Sequence, residues 1–153
     1  MTFSSSYSGA AGMRGIIENE FKLRIPGLAI EEWREGQGTG NLFASKRLVR
    51  NAPYLNIYDC RSVSDLLYVA EAPRVRIELV SQQSAGSVDE KFPFWLMNAE
   101  SRMPEPTVWL IIDGLGPRPG ALRWLRTSAA KATKPIHIIT TLDRARAAIA
   151  TVA

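Results

Sequence analysis

The chain of 153 residues has few groups that ligate soft metals or cross-link a fold: one cysteine, Cys60, and one histidine, His137. A single cysteine excludes an intramolecular disulfide framework and a multi-cysteine zinc site. A single histidine excludes a His-based metal cluster within one chain. No apolar run approaches the roughly 20 residues that a membrane-spanning helix needs; the best candidate, Val108 to Ile112, is strand-sized. The N-terminus lacks the charged region and apolar stretch of a signal peptide, and no internal repeat is visible. These absences predict an intracellular, cytoplasmic protein with no membrane partner.

What is present is ordinary globular material, 46% hydrophobic and 22% charged, at a length that suits one compact core. Residues 1–9 (MTFSSSYSG) read as a loose tail and residues 10–153 as a single domain. The net charge of +4 is unevenly spread. Residues 113–153 carry Arg118, Arg123, Arg126, Lys131, Lys134, Arg144 and Arg146 against Asp113 and Asp143, while the rest of the chain is close to neutral. Such a basic third either is a solvated helix face or follows phosphates electrostatically, which makes Arg118, Arg123, Arg126 and Lys131 candidates for phosphate contacts.

Apolar spacing predicts a helix from Ala10 to Phe21, stopped by Pro26 and Gly27, then a weak strand from Leu28 to Trp33. Gly36 to Gly40 (GQGTG) reads as a loop; no Lys-Ser/Thr pair follows it to make a phosphate loop. Leu55 to Tyr58 reads as a short strand or as part of an irregular segment. Asp65–Ala70 and Arg74–Val80 read as an antiparallel hairpin turning at Ala72-Pro73. Ser84 to Ser87 breaks the second strand. A helix is expected from Lys91 or Phe92 to Glu100, because Pro93 fits in a first turn. Thr107–Ile112 reads as a buried strand, Ala121–Lys131 as a helix, Ile136–Thr140 as a strand and Leu142–Val152 as a helix capped by Thr141. This order gives an α/β sandwich around a mixed sheet, parallel in its second half. Trp95, Trp109 and Trp124 fall in apolar segments and are expected in the core or an interface, whereas Trp33 lies among charges. His137 reads as a packed or edge histidine, and Cys60 has no partner that would mark it as a nucleophile.

The stretch from Ser64 to Lys91 carries the chemistry. Asp65 opens the first hairpin strand and Glu78 lies in the second, so the turn brings the two carboxylates together. Two carboxylates at one sheet edge make a hard-oxygen site suited to Mg²⁺ or Mn²⁺. Such an ion activates water and stabilises charge developing on a phosphodiester.

The run Ser64-Asp65, followed after twelve residues by Glu78-Leu79-Val80, resembles the PD-(D/E)XK nuclease superfamily, to which many type II restriction endonucleases belong. The segments Ser81 to Pro93 and Val108 to Leu125 also resemble one restriction-endonuclease-like branch. The resemblance spans roughly Ser45 to Thr140. It implies an α/β, restriction-endonuclease-like three-layer core with a central mixed β-sheet flanked by helices. It further implies that Asp65 and Glu78 are the metal ligands, that Glu18 or Glu20 matches an acidic residue placed near the metal in some members, and that Gln82 and Gln83 lie near the DNA backbone.

One position departs from the pattern. The family's lysine belongs two residues after the glutamate, where this chain has Val80. Lys91, one short loop away, is the candidate for supplying the missing charge, since the lysine migrates within the superfamily. The alternatives are a degenerate nuclease that still binds DNA or an active partner, and an inactivated form. The expected function is therefore a Mg²⁺- or Mn²⁺-dependent DNA endonuclease of restriction or phage defence, acting on double-stranded DNA as a homodimer or with a partner subunit. The alternative is a catalytically degenerate binding protein with the same fold; a purely structural role leaves the basic surface unexplained.

Overall fold

The computed structural model describes residues 3, 9–36, 46–72, 74–82 and 88–153. Most of the expected tail, the glycine loop beyond Gly36, Pro73 of the expected hairpin turn, the Ser84–Ser87 break and Gln83 lie outside these residues. Within them the elements run α1 (Gly9–Arg24), β1 (Ala29–Glu32), β2 (Arg47–Leu55), β3 (Arg61–Val69), β4 (Val75–Ser81), α2 (Val88–Ser101), β5 (Thr107–Asp113), α3 (Pro119–Ala129), β6 (Ile136–Ile139) and α4 (Leu142–Val152).

The strands form one mixed sheet in the order β1-β2-β3-β4-β5-β6. β2, β3 and β4 are antiparallel neighbours; β1 joins β2 in parallel, and β4, β5 and β6 are parallel. Helices connect the parallel strands in the second half, as parallel pairing requires.

β5 shows why the layers form. TVWLIID has no polar face and is buried almost throughout, as a strand covered on both sides must be. Trp109 and Ile111 face α1 and α4, joining Met13, Ile17, Phe21, Ile77, Ala145 and Ile149. Val108, Leu110 and Ile112 face α2 and α3, joining Phe92, Leu96, Ala99, Leu125 and Ala129. The result is the three-layer α/β arrangement expected from the sequence. Phe3, placed by sequence in a loose tail, is buried in the α1/α4 cluster.

Several boundaries differ from the sequence reading. β2 continues through Asn51 and Pro53, two poor strand formers that hide a nine-residue strand. It ends at Leu55, because the side-chain oxygen of Asn56 accepts hydrogen bonds from the Tyr58 and Cys60 amides and curls the chain into a turn. α2 begins at Val88, so Pro93 sits inside the helix. Its missing N–H removes one bond from an exposed face. The acidic first turn and the packing of Phe92, Leu96 and Ala99 outweigh that loss. Thr141 caps α4 as expected, accepting from the Arg144 amide. Trp124, expected in the core or an interface, is 45% exposed and so lies outside the core. Trp33, expected among solvated charges, packs against Val49, Ala52, Leu67 and Val69.

Candidate active site

The site begins with an interruption in the sheet. The β2–β3 register runs from Arg47↔Val69 to Leu55↔Arg61 but skips Asn51 and Asp65. Asn51 has a left-handed backbone, φ 55°, which Asn tolerates better than most residues. Its amide donates to Glu32 Oε2 at 2.9 Å. Across this point the alternation of side chains reverses: Val49 and Ala52, odd and even, enter the same cluster. β3 reverses with it. Leu66 and Tyr68 face α1 and α4, yet Ser64 turns to the opposite side, where it meets Arg76 and Glu78.

The β3–β4 ladder stops at the same place, at Leu66↔Ile77. The next opposed positions are Asp65 and Glu78. Here the side chain of Asp65 takes over a backbone role, with Oδ2 accepting from the Leu79 amide at 2.8 Å. Glu78 Oε1 accepts from Ser64 Oγ at 2.7 Å. Among the described residues, Glu78 Oε2 has no hydrogen-bond partner.

Burial raises the pKa of both acids. Asp65 is pushed up by desolvation, opposed by the Leu79 amide and the positive charge of Arg14. Glu78 is pushed up to about 8, first by burial and then by the negative charge of Asp65; Ser64 and Arg76 pull the other way. Carboxylates held close and half-buried favour a shared cation. Two carboxylates from adjacent strands fit a small divalent ion that keeps most of its waters and takes the rest of its shell from a phosphate. No group of three or more His, Cys, Asp or Glu among the described residues is arranged to hold a metal; Asp65 and Glu78 are a pair that could hold one.

Lys91, in the first turn of α2, lines a cavity of about 350 Å³ together with Leu79, Val80, Ser81, Trp95 and Leu110. Val80 is on the same face of β4 as Glu78 and packs against the α2/α3 cluster. The lysine therefore borders the position left apolar by Val80.

A family comparison settles the membership of the chain. Residues 17–152 match the profile of the PD-(D/E)XK nuclease superfamily domain. The chain belongs to the PD-(D/E)XK nuclease superfamily. No curated protein and no solved structure matches it. Members of the superfamily generally use divalent metals, and a nuclease domain implies a nucleic-acid substrate.

Within this nuclease domain the remaining sequence candidates are dispersed. Glu18 and Glu20 lie on α1 and are occupied by arginines. Glu18 receives Arg50 through two bonds of 2.6 and 2.8 Å, with Arg14 at 3.8 Å. Glu20 pairs with Arg24 and with Arg146 of α4. Neither contacts Asp65 or Glu78, and Arg14 is the link between Glu18 and the site. Gln82 continues β4 through its backbone, donating to the Asp113 carbonyl and accepting from the Gly116 amide. Arg118 pairs with Asp89 at 3.6 Å, Arg126 donates to Thr140 at 2.9 Å, and Arg123 and Lys131 are exposed. His137 is exposed on the edge strand β6, and among the described residues no helix is long and apolar enough to cross a membrane.

Sequence reasoning assigned no role in the site to Ser64, Arg76 or Glu105. Arg76 looks like the outward residue of an alternating strand, but it is 2% exposed and grips Glu105. The available signal was its parity: Arg76 shares a face with Glu78.

Proposed function

We propose that this protein is a divalent-metal-dependent endonuclease that hydrolyses phosphodiester bonds of double-stranded DNA in the cytoplasm, in restriction or phage defence. The observation that carries the reading is the pairing of Asp65 and Glu78 at the point where β3 and β4 part. Both acids are half-buried, burial raises the pKa of each, and the charge of Asp65 adds to the cost of ionising Glu78. A Mg²⁺ or Mn²⁺ ion held by these two carboxylates would polarise the scissile phosphate and lower the pKa of an attacking water.

The chain's own groups supply the rest. Asp65 is fixed by the Leu79 amide, so its carboxylate keeps its place without substrate. Lys91 borders Val80, where its ammonium offsets negative charge gathering on the phosphate or orients the water. Arg118, Arg123, Arg126 and Lys131 offer charge to the DNA backbone. A second copy or a partner subunit would supply the second cut and much of the target reading.

The test is cleavage of a long mixed-sequence duplex with Mg²⁺ or Mn²⁺ by the wild type, Asp65→Ala and Glu78→Ala. Metal-dependent cutting by the wild type, lost by at least about 10³-fold in both variants, is the expected result. Cutting that survives both substitutions overturns the assignment. Val80 favours a second reading, a nuclease fold that binds DNA or an active partner without cutting. Its mark is DNA binding by all three proteins and cleavage by none.

A further inference from the structure

Behind Glu78 lies a polar chain that the two-carboxylate site does not use. Glu105, in the turn before β5, receives Arg76 through Nε and Nη2, the latter at 2.9 Å. Arg76 Nη1 donates to the Ala52 carbonyl at 2.8 Å and to Ser64 Oγ at 3.0 Å. Ser64 Oγ then reaches Glu78 Oε1 at 2.7 Å. Ser64, Arg76 and Glu105 are 0%, 2% and 7% exposed. Lys134 secures the far end by donating to the Glu105 carbonyl at 3.1 Å.

The direction of this chain follows from counting hydrogens. A serine hydroxyl has one hydrogen and two lone pairs, and an arginine N–H only donates. Arg76 therefore occupies a lone pair of Ser64, and the single hydroxyl hydrogen goes to Glu78. A buried Arg–Glu pair is an inefficient way to gain stability, since apolar replacements of similar volume often do as well or better. The Glu78 carboxylate end of this network is half-buried, whereas Ser64, Arg76 and Glu105 are buried. Asp65 of β3, Tyr54 of β2 and Arg76 of β4 are the charged or titratable groups that act on it.

We propose that Ser64 is a positioning residue for Glu78: its hydroxyl, aimed by Arg76 and Glu105, holds Oε1 so that Oε2 is presented to the divalent cation. The proposal rests on the reading of Asp65 and Glu78 as a metal site. Outer partners that orient ligating side chains typically account for 10- to 100-fold in metal affinity.

The experiment is Mn²⁺ binding, measured by electron paramagnetic resonance without substrate, for wild type, Ser64→Ala, Glu78→Gln and the double variant. Ser64→Thr keeps the hydroxyl, and thermal melts establish the folded fraction of each protein. Ser64→Ala is expected to weaken Mn²⁺ binding about tenfold, and Ser64→Thr to stay within about twofold of wild type. In the Glu78→Gln background the further change to alanine is expected to have no effect. Equal Mn²⁺ affinity in wild type and Ser64→Ala overturns the proposal, as does a tenfold loss that persists without Glu78. Should Ser64→Ala not fold, a Ser64→Thr protein that folds but loses Mn²⁺ overturns it equally. Failure of the wild type itself to bind Mn²⁺ is a different result, and overturns the metal-site reading beneath it.

Discussion

Replacing Glu78 by Gln should make the metal-free protein more stable at alkaline pH while changing it little at pH 5. Glu78 has its pKa raised from 4.5 to about 8 by burial and by Asp65. Between those values the unfolded chain has released a proton that the native state keeps, so native stability falls as pH rises through this window. At about 1.4 kcal/mol per unit, the full shift corresponds to about 5 kcal/mol. The Glu78 residue retains partial solvent contact, which brings the expected figure to about 2–3 kcal/mol at pH 9. Gln keeps the side-chain shape and an oxygen to accept from Ser64, but it has no proton to lose. Urea unfolding of both proteins in chelator at pH 5, 7 and 9 measures the difference. Wild-type stability should fall relative to the variant from pH 5 to 9. Parallel stability curves would refute the buried-acid account, and a wild type that gains on the variant with pH would reverse its sign.

Other outcomes follow from the same structure. Lys91→Ala should lower the cleavage rate by roughly 10²-fold with little change in DNA affinity, measured in single-turnover reactions. An unchanged rate would remove Lys91 from the chemistry. Glu105→Ala strands the Arg76 guanidinium in the interior, so equilibrium unfolding should show a loss of about 3–5 kcal/mol; a loss under about 1 kcal/mol would mean that water or a neighbour replaces the carboxylate. Asn51→Gly should preserve the left-handed backbone and stay within about 1 kcal/mol of wild type, whereas Asn51→Val should cost about 1–2 kcal/mol more. Equal unfolding midpoints for these two variants would count against the interrupted ladder.

Much of the architecture was legible because hydrophobic period and burial coincide. The unbroken TVWLIID run requires cover on both faces, and Thr141 marks the start of α4 by its capping hydroxyl. The Asp65–Glu78 pairing was legible because a short hairpin fixes which positions oppose each other. What escaped was non-local. β2 is hidden by Asn51 and Pro53, whose poor strand propensity is offset by the pairing of β2 with β1 over Arg47–Arg50 and with β3 along most of its length. Arg76 follows a solvated pattern, and only the arrival of Glu105 from a turn distant in sequence makes its burial affordable. Pro93 sets no helix start, because packing of α2 on the sheet outweighs one missing bond. Glu18 and Glu20 carry the right chemistry for a metal, but Arg50 and Arg146 reach them from elements that a linear reading does not bring near.

The central claim is that Asp65 and Glu78 together hold a divalent ion, and anomalous diffraction from crystals soaked in Mn²⁺ addresses it directly. The account predicts one strong peak between the two carboxylates, with oxygens of both at about 2.0–2.3 Å, lost in Asp65→Ala crystals. A Mn²⁺ peak elsewhere in the chain, or none at these carboxylates at saturating metal, would contradict it.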